Sequence, residues 1–152
     1  MARFFRRGRS AVKFAPSVAG NSPTRAEITA GLDVTGQVAD LAGFNLSNSP
    51  IETPDLATTF NSQIKGPDAT DTSTLTFYDD DVSSTIRTTM AKDVTGVILL
   101  FPYGDISTKR VEKWPVVSTG VNDEWSLDAN AARFVIGYAV TSVPFQTGVT
   151  PA

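Results

Sequence analysis

The sequence predicts a mainly β fold: a β-sandwich or barrel of six or more strands with one short flanking α-helix, an extended N-terminal arm and one long loop. Three observations carry that reading. Several segments alternate apolar and polar residues with a period of two, as half-buried strands do. Thr and Val are abundant between turns marked by 11 Gly and 9 Pro. Only one stretch repeats apolar residues at helical spacing. With 152 residues and 41% hydrophobic content, the chain suits one domain with a real core.

Residues 1–22 read as a basic arm and linker, and residues 23–152 as a single β domain. Pro16, Gly20, Asn21 and Pro23 break any regular structure across the linker. Residues 27–34 then alternate, with Ile28, Ala30, Leu32 and Val34 on one face and Glu27, Thr29 and Asp33 on the other, which predicts a strand. Residues 38–47 read as a second extended stretch, with Gly43 marking a bulge or turn. Residues 48–71 form the long irregular loop, punctuated by Pro50, Pro54 and Gly66-Pro67. Connections beyond about 12–15 residues are uncommon unless they are functional or ordered by a partner. The loop's Ile51, Pro54, Leu56, Phe60 and Ile64 need a surface to cover, and a neighbouring subunit is the expected one.

Residues 72–79 alternate again, Leu75 and Phe77 inward against Thr74, Thr76 and Tyr78 outward. A helix follows, with Asp81 as its cap and Val82, Ile86 and Met90 as its apolar stripe. Residues 94–103 are apolar on both faces and predict a strand covered on both sides. Residues 107–119 predict a partly exposed strand that Pro115 confines to an edge or a bulge. Residues 133–143 predict the final strand, with Phe134, Ile136, Tyr138 and Val140 facing one way and Val135, Gly137 and Ala139 the other.

Residue types exclude most enzyme chemistry. Cysteine and histidine are both absent, which removes thiol nucleophiles, zinc–thiolate sites and every Ser-His arrangement. Asp79-Asp80-Asp81 lacks the spaced ligands and turn glycine of a calcium loop and reads as helix-cap charge. Ser10 and Lys13 match an S-x-x-K pattern without its partner motifs. An acidic pair such as Asp123 and Glu124 is expected by chance in a chain with 16 acids. No glycine-rich phosphate loop is present, so no catalytic residue, cofactor or metal is expected. Trp114, Trp125 and Tyr103 are candidates for stacking on bases or sugars, or for ordinary packing. No run approaches the roughly 18 apolar residues of a membrane span.

The net charge of −3 hides an asymmetry. Residues 1–25 hold six bases and no acid, whereas the remaining 127 hold 7 bases and 16 acids. The basic segment carries Arg3, Phe4, Phe5, Arg6, Arg7 and Arg9. Such an arm suits a transit peptide, an anionic membrane surface, nucleic acid, or a neighbouring acidic subunit; docking on a neighbour is the expectation.

The succession Pro23-Thr24-Arg25-Ala26-Glu27-Ile28, Val38-Ala39-Asp40-Leu41, Ile51-Glu52-Thr53-Pro54-Asp55-Leu56 and Leu75-Thr76-Phe77-Tyr78 resembles the major tail proteins, or tail tube proteins, of tailed bacteriophages, most of all those of actinobacterial phages. The likeness in order and spacing runs from about residue 23 to residue 144. It implies a structural virion protein whose hexameric rings stack into a hollow tube. It also implies loops and arms that clip ring to ring, other tail proteins at the tube ends, and genomic DNA passing through the lumen without specific binding. An acidic lumen would repel phosphate and keep the polymer moving. Other readings are a head-decoration or head–tail joining protein, or a carbohydrate-binding β-sandwich that uses Trp114 and Trp125.

Overall fold

One antiparallel sheet carries the fold in the computed structural model, which describes residues 2–82 and 84–152. In chain order the elements are β1 (Ala11–Ala15), α1 (Arg25–Ala30), β2 (Leu32–Asp33), β3 (Val38–Ala42), β4 (Leu46–Asn48), β5 (Ile51–Glu52), β6 (Gln63–Ile64), β7 (Asp68–Thr70), β8 (Ser73–Tyr78), α2 (Thr85–Thr89), β9 (Thr95–Phe101), β10 (Arg110–Glu124), β11 (Arg133–Val140) and β12 (Phe145–Val149). The main sheet runs β2-β1-β9-β10-β11-β8-β3, with β12 also paired to β10.

The two outermost strands of that order, β2 and β3, are consecutive in the chain and separated by only residues 34–37. Laid flat, six inter-strand spacings of about 4.8 Å would hold them about 29 Å apart. The connection spans at most about 18 Å. The sheet therefore curls on itself, and residues 34–37 bridge the seam without a strand ladder, so no closed barrel forms.

Curling gives the sheet an interior. Phe14, Leu75, Phe77, Ile98, Trp114, Phe134, Ile136 and Tyr138 fill it, all from one face. β9 is buried on both faces because its Val97, Leu99 and Phe101 join a second cluster with Ala15, Val18, Ile28 and Val111. In β10 the register shifts between Ser118 and Gly120, so Thr119 is the extra residue of a bulge. The bulge changes which parity faces inward: Trp114, Val116 and Ser118 precede it, and Val121 packs on the core after it.

The strands expected at residues 72–79, 94–103 and 133–143 are β8, β9 and β11, with the inward residues as read from alternation. Five expectations need correction. Residues 27–34 are not a strand: they supply most of α1 and then β2. Thr24 Oγ1 accepts from the Glu27 N–H at 3.2 Å while Glu27 Oε1 accepts from the Thr24 N–H at 3.0 Å, a reciprocal cap that starts a helix. The second helix is shorter than the apolar stripe suggested. α2 begins at Thr85 behind Ser84, Asp81 does not cap it, and Val82 is exposed (the neighbouring Ser83 lies outside the described residues). Its run of Ser and Thr disfavours extension, and Thr88 Oγ1 donates back to the Ser84 carbonyl at 3.0 Å.

The loop at residues 48–71 is not irregular but folds back on itself as two short ladders, β4–β7 and β5–β6. Nor is Pro115 at a sheet edge. It lies where β10 changes partner, after β12 has paired up to Lys113 and before β11 begins at Val116. No ladder on that side asks for the missing N–H, while the Pro115 carbonyl accepts from the Thr141 N–H at 3.0 Å. Finally, β11 is followed by another strand, β12. Within the segment read as arm and linker, Ala11–Ala15 pair with both β2 and β9 as β1, so only residues 2–10 lead away from the sheet.

Candidate assembly surfaces

Three surfaces stand apart from the core, and the first is the arm spanning residues 43–72. It leaves β3 at Gly43, whose φ of +84° suits glycine; a Cβ there would meet the Thr72 carbonyl oxygen at 2.1 Å. Its own hydrogen bonds order it. Asn48 Nδ2 donates to the Gly66 carbonyl and to Asp68 Oδ1, both at 2.6 Å, and Thr53 N–H donates to the Ser62 carbonyl at 2.8 Å. The Asn48 hydrogen bond, aided by Lys65, holds the Asp68 carboxyl below the usual carboxylate range. At the tip, Asp55 Oδ1 accepts from the Ala57 and Thr58 N–H groups at 2.8 and 3.0 Å. These hydrogen bonds hold the segment, yet Ile51, Pro54, Leu56, Phe60 and Ile64 are all exposed.

The second surface is the N-terminal arm. Arg9 and Ser10 N–H groups both donate to the Arg6 carbonyl, at 3.0 and 2.8 Å, making a tight turn. Ser10 Oγ donates to the Pro102 carbonyl at 2.7 Å, and the Phe4 ring lies 5.3 Å from Tyr103. The arm thus sits at the β9–β10 turn, with Phe4 seated on its own chain and Arg9 stacked 4.8 Å over the Phe4 ring. Phe5 is exposed, and none of Arg3, Arg6, Arg7 and Arg9 makes an ion pair among the described residues. Arg6 shares a groove of about 320 Å³ with Leu41 and Phe44, at the root of the first arm.

The third surface is the β10–β11 turn, where Trp125 and Leu127 are exposed. The signal was present in the sequence, since Asp123, Glu124, Ser126, Asp128 and Asn130 make this a polar turn in which a Trp has no core to enter. Asp79, Asp123, Glu124, Trp125, Ala132 and Arg133 line a cavity of about 440 Å³ beside it. Arg87 braces the wall, donating to Asp123 and, at 3.1 Å, to Asp79, while lying 4.2 Å over the Phe134 ring. The Asp123 hydrogen bond outweighs partial burial and holds the guanidinium more firmly protonated. Asp79 therefore serves an ion pair, and Asp80 accepts from the Val82 N–H at 2.9 Å.

The two tryptophans do not form one platform: Trp114 is 0% exposed in the core and Trp125 is 91% exposed. That removes half of the sugar-binding reading. Among the described residues no group of three or more potential ligands could hold a metal ion, and no helix is long and apolar enough to cross a membrane.

The profile of the phage tail tube protein family matches residues 1–152, and the chain belongs to that family. Its role is structural and its place is the tail of a virion. The fold is similar to a chain in the cryo-EM structure of the anti-feeding prophage baseplate, 6-fold symmetrised, at 11% identity and TM-score 0.62, covering 98% of this chain and 99% of that one. It is similar to a chain in the helically refined, C6-symmetric tail of an empty GTA particle at 8% identity and TM-score 0.58, covering 90% and 94%. It is also similar to a chain in the native gene transfer agent virion at 9% identity and TM-score 0.55, covering 91% and 95%. No curated protein matches the sequence.

Proposed function

We propose that this chain closes into six-membered rings that stack into an open-ended tube, with other tail proteins at its ends and genomic DNA passing through the lumen. The carrying observation is the residue 43–72 arm, which is ordered by its own hydrogen bonds yet holds Ile51, Leu56, Phe60 and Ile64 away from its own core. Apolar side chains fixed in water by a rigid backbone suit the surface of another copy. In this reading Ile51, Pro54, Leu56, Phe60 and Ile64, together with Arg3, Phe4, Phe5, Arg6, Arg7 and Arg9, contact neighbouring subunits. The six-fold and helical assemblies named for the similar structures support the ring and its stacking.

The work is physical, with no covalent step, no cofactor and no membrane. Residues 26–152 carry 16 acids against 7 bases, so a lumen drawn from them repels phosphate and gives DNA no lasting contact. Ring closure also covers sheet edges that a lone copy leaves open. Negative-stain microscopy of the purified chain tests the assembly. Open-ended tubes with six-fold rings are expected. Closed rings without stacking, or binding to capsids only, would instead assign a head-decoration or joining role, and a monomer with glycan affinity would end the tube reading.

A further inference from the structure

We propose that the receptor for the basic N-terminal arm is the Trp125-walled cavity at the β10–β11 turn of a second copy, so that successive rings are locked head to tail by this pair. The inference rests on the stacked-ring reading and adds to it the identity of the two surfaces that meet.

Placement comes first. Ser10 on Pro102 and Phe4 on Tyr103 fix the arm at the β9–β10 turn, whereas Trp125 projects from the β10–β11 turn. These turns cap opposite ends of the 15-residue β10, whose contour at about 3.3 Å per residue is about 46 Å. Neither surface can reach the other within one chain. In a stack of copies with one orientation and β10 along the stacking axis they face each other at every junction, which is the heterologous, open-ended contact that grows a filament.

Charge comes second. Residues 2–10 present four guanidinium groups, no carboxylate and no internal ion pair. The opposite end presents Asp79, Asp80, Asp81, Asp93, Asp123, Glu124 and Asp128 against Arg87, Lys92 and Arg133. Apolar surface is the third and independent observation: Trp125, Leu127 and Val82 are exposed at the acidic end, as Phe5 is on the arm. An arginine suits such a cavity because its flat guanidinium stacks on an indole while its edge reaches the Glu124 carboxylate, Asp79 and Asp123 being held by Arg87. The cavity of about 440 Å³ accommodates a side chain of that size. Nucleic acid is repelled by the same carboxylates. So is the tip of the residue 43–72 arm, which carries Glu52 and Asp55.

Charge swapping tests the pairing in the full chain, with tube growth read by sedimentation and negative-stain microscopy. Arg6→Glu with Arg7→Glu, or Glu124→Arg with Asp128→Arg, should each raise the critical concentration for tube growth about tenfold or more, because a ring repeats the contact around its rim. One chain carrying all four substitutions, or an equimolar mixture of the two double variants, should recover growth. A chain with Arg6→Cys and Ser126→Cys should form a disulfide-linked ladder in tubes under oxidation, since no native cysteine competes. If the native chain grows tubes but both double variants grow equally well and the cysteine pair yields no ladder, this docking is wrong and the tube stands. If the native chain grows no tubes, both readings fall.

Discussion

The curled sheet and the residue 43–72 arm are built from similar apolar residues, but they use them in opposite ways. In β8 and β11 every second side chain is inside: Leu75, Phe77, Phe134, Ile136 and Tyr138 are all buried. In the arm, Ile51, Leu56, Phe60 and Ile64 are all exposed, although the backbone between them is paired and capped. The difference shows that apolar content and backbone order are separate requirements. The sheet meets both within one chain; the arm meets only the second, and its apolar side chains stay exposed.

The largest expected effect lies in the sheet. Trp114→Ala removes a fully buried indole that packs edge-on against Phe44 at 5.5 Å between ring centroids. It should cost about 3–5 kcal/mol, read by urea unfolding of the unassembled chain, and a cost near zero would break the contrast between the two regions. Next comes the arm's root. Gly43→Ala forces a Cβ onto the Thr72 carbonyl in a left-handed conformation, and should cost about 1–3 kcal/mol by the same measurement.

A smaller, pH-dependent effect sits at Asp105. Partial burial pushes its carboxyl up, but hydrogen bonds from Arg25 and Lys13 prevail, and the net shift is downward. A lowered pKa in the folded state means stability that is complete above the ordinary value of about 3.9 and fades as pH falls through the folded one. Asp105→Asn should therefore narrow the gap in unfolding free energy between pH 7 and pH 3; an unchanged gap would show that the pair contributes nothing. Smallest for the fold is Leu56→Ser with Phe60→Ser. The unfolding free energy should hold to within about 0.5 kcal/mol, while tube growth is lost. Unimpaired growth would show that the arm has no partner.

The sequence displayed the sheet wherever burial is one-sided or complete, because alternation and continuous apolar runs record it directly, as in Leu75/Phe77 and residues 97–101. It misled where two patterns overlap. Ile28, Leu32 and Val34 alternate like a strand, but the Thr24/Glu27 cap decides the first turn, and that signal lay in the same residues. The arm's ladders were hidden because strands of two or three exposed residues carry no period. Pro115 misled because the edge rule concerns a missing donor, and a central strand has no use for that donor where its partner changes. Of the candidate surfaces, the loop's exposed apolar residues were legible from punctuation and length. In the sequence Trp125 reads only as stacking or packing, since its opposition to the N-terminal arm depends on β10 separating them.

That single strand has a mechanical consequence. β10 runs from the turn beside the N-terminal arm to the turn bearing Trp125, bonded along its sides to β9, β11 and β12. A pull between those two turns acts along the strand axis, so the ladder bonds resist together in shear and are not peeled one after another. Stretching the molecule in that direction loads many ladder bonds at once, while the seam at residues 34–37 has no ladder to resist bending.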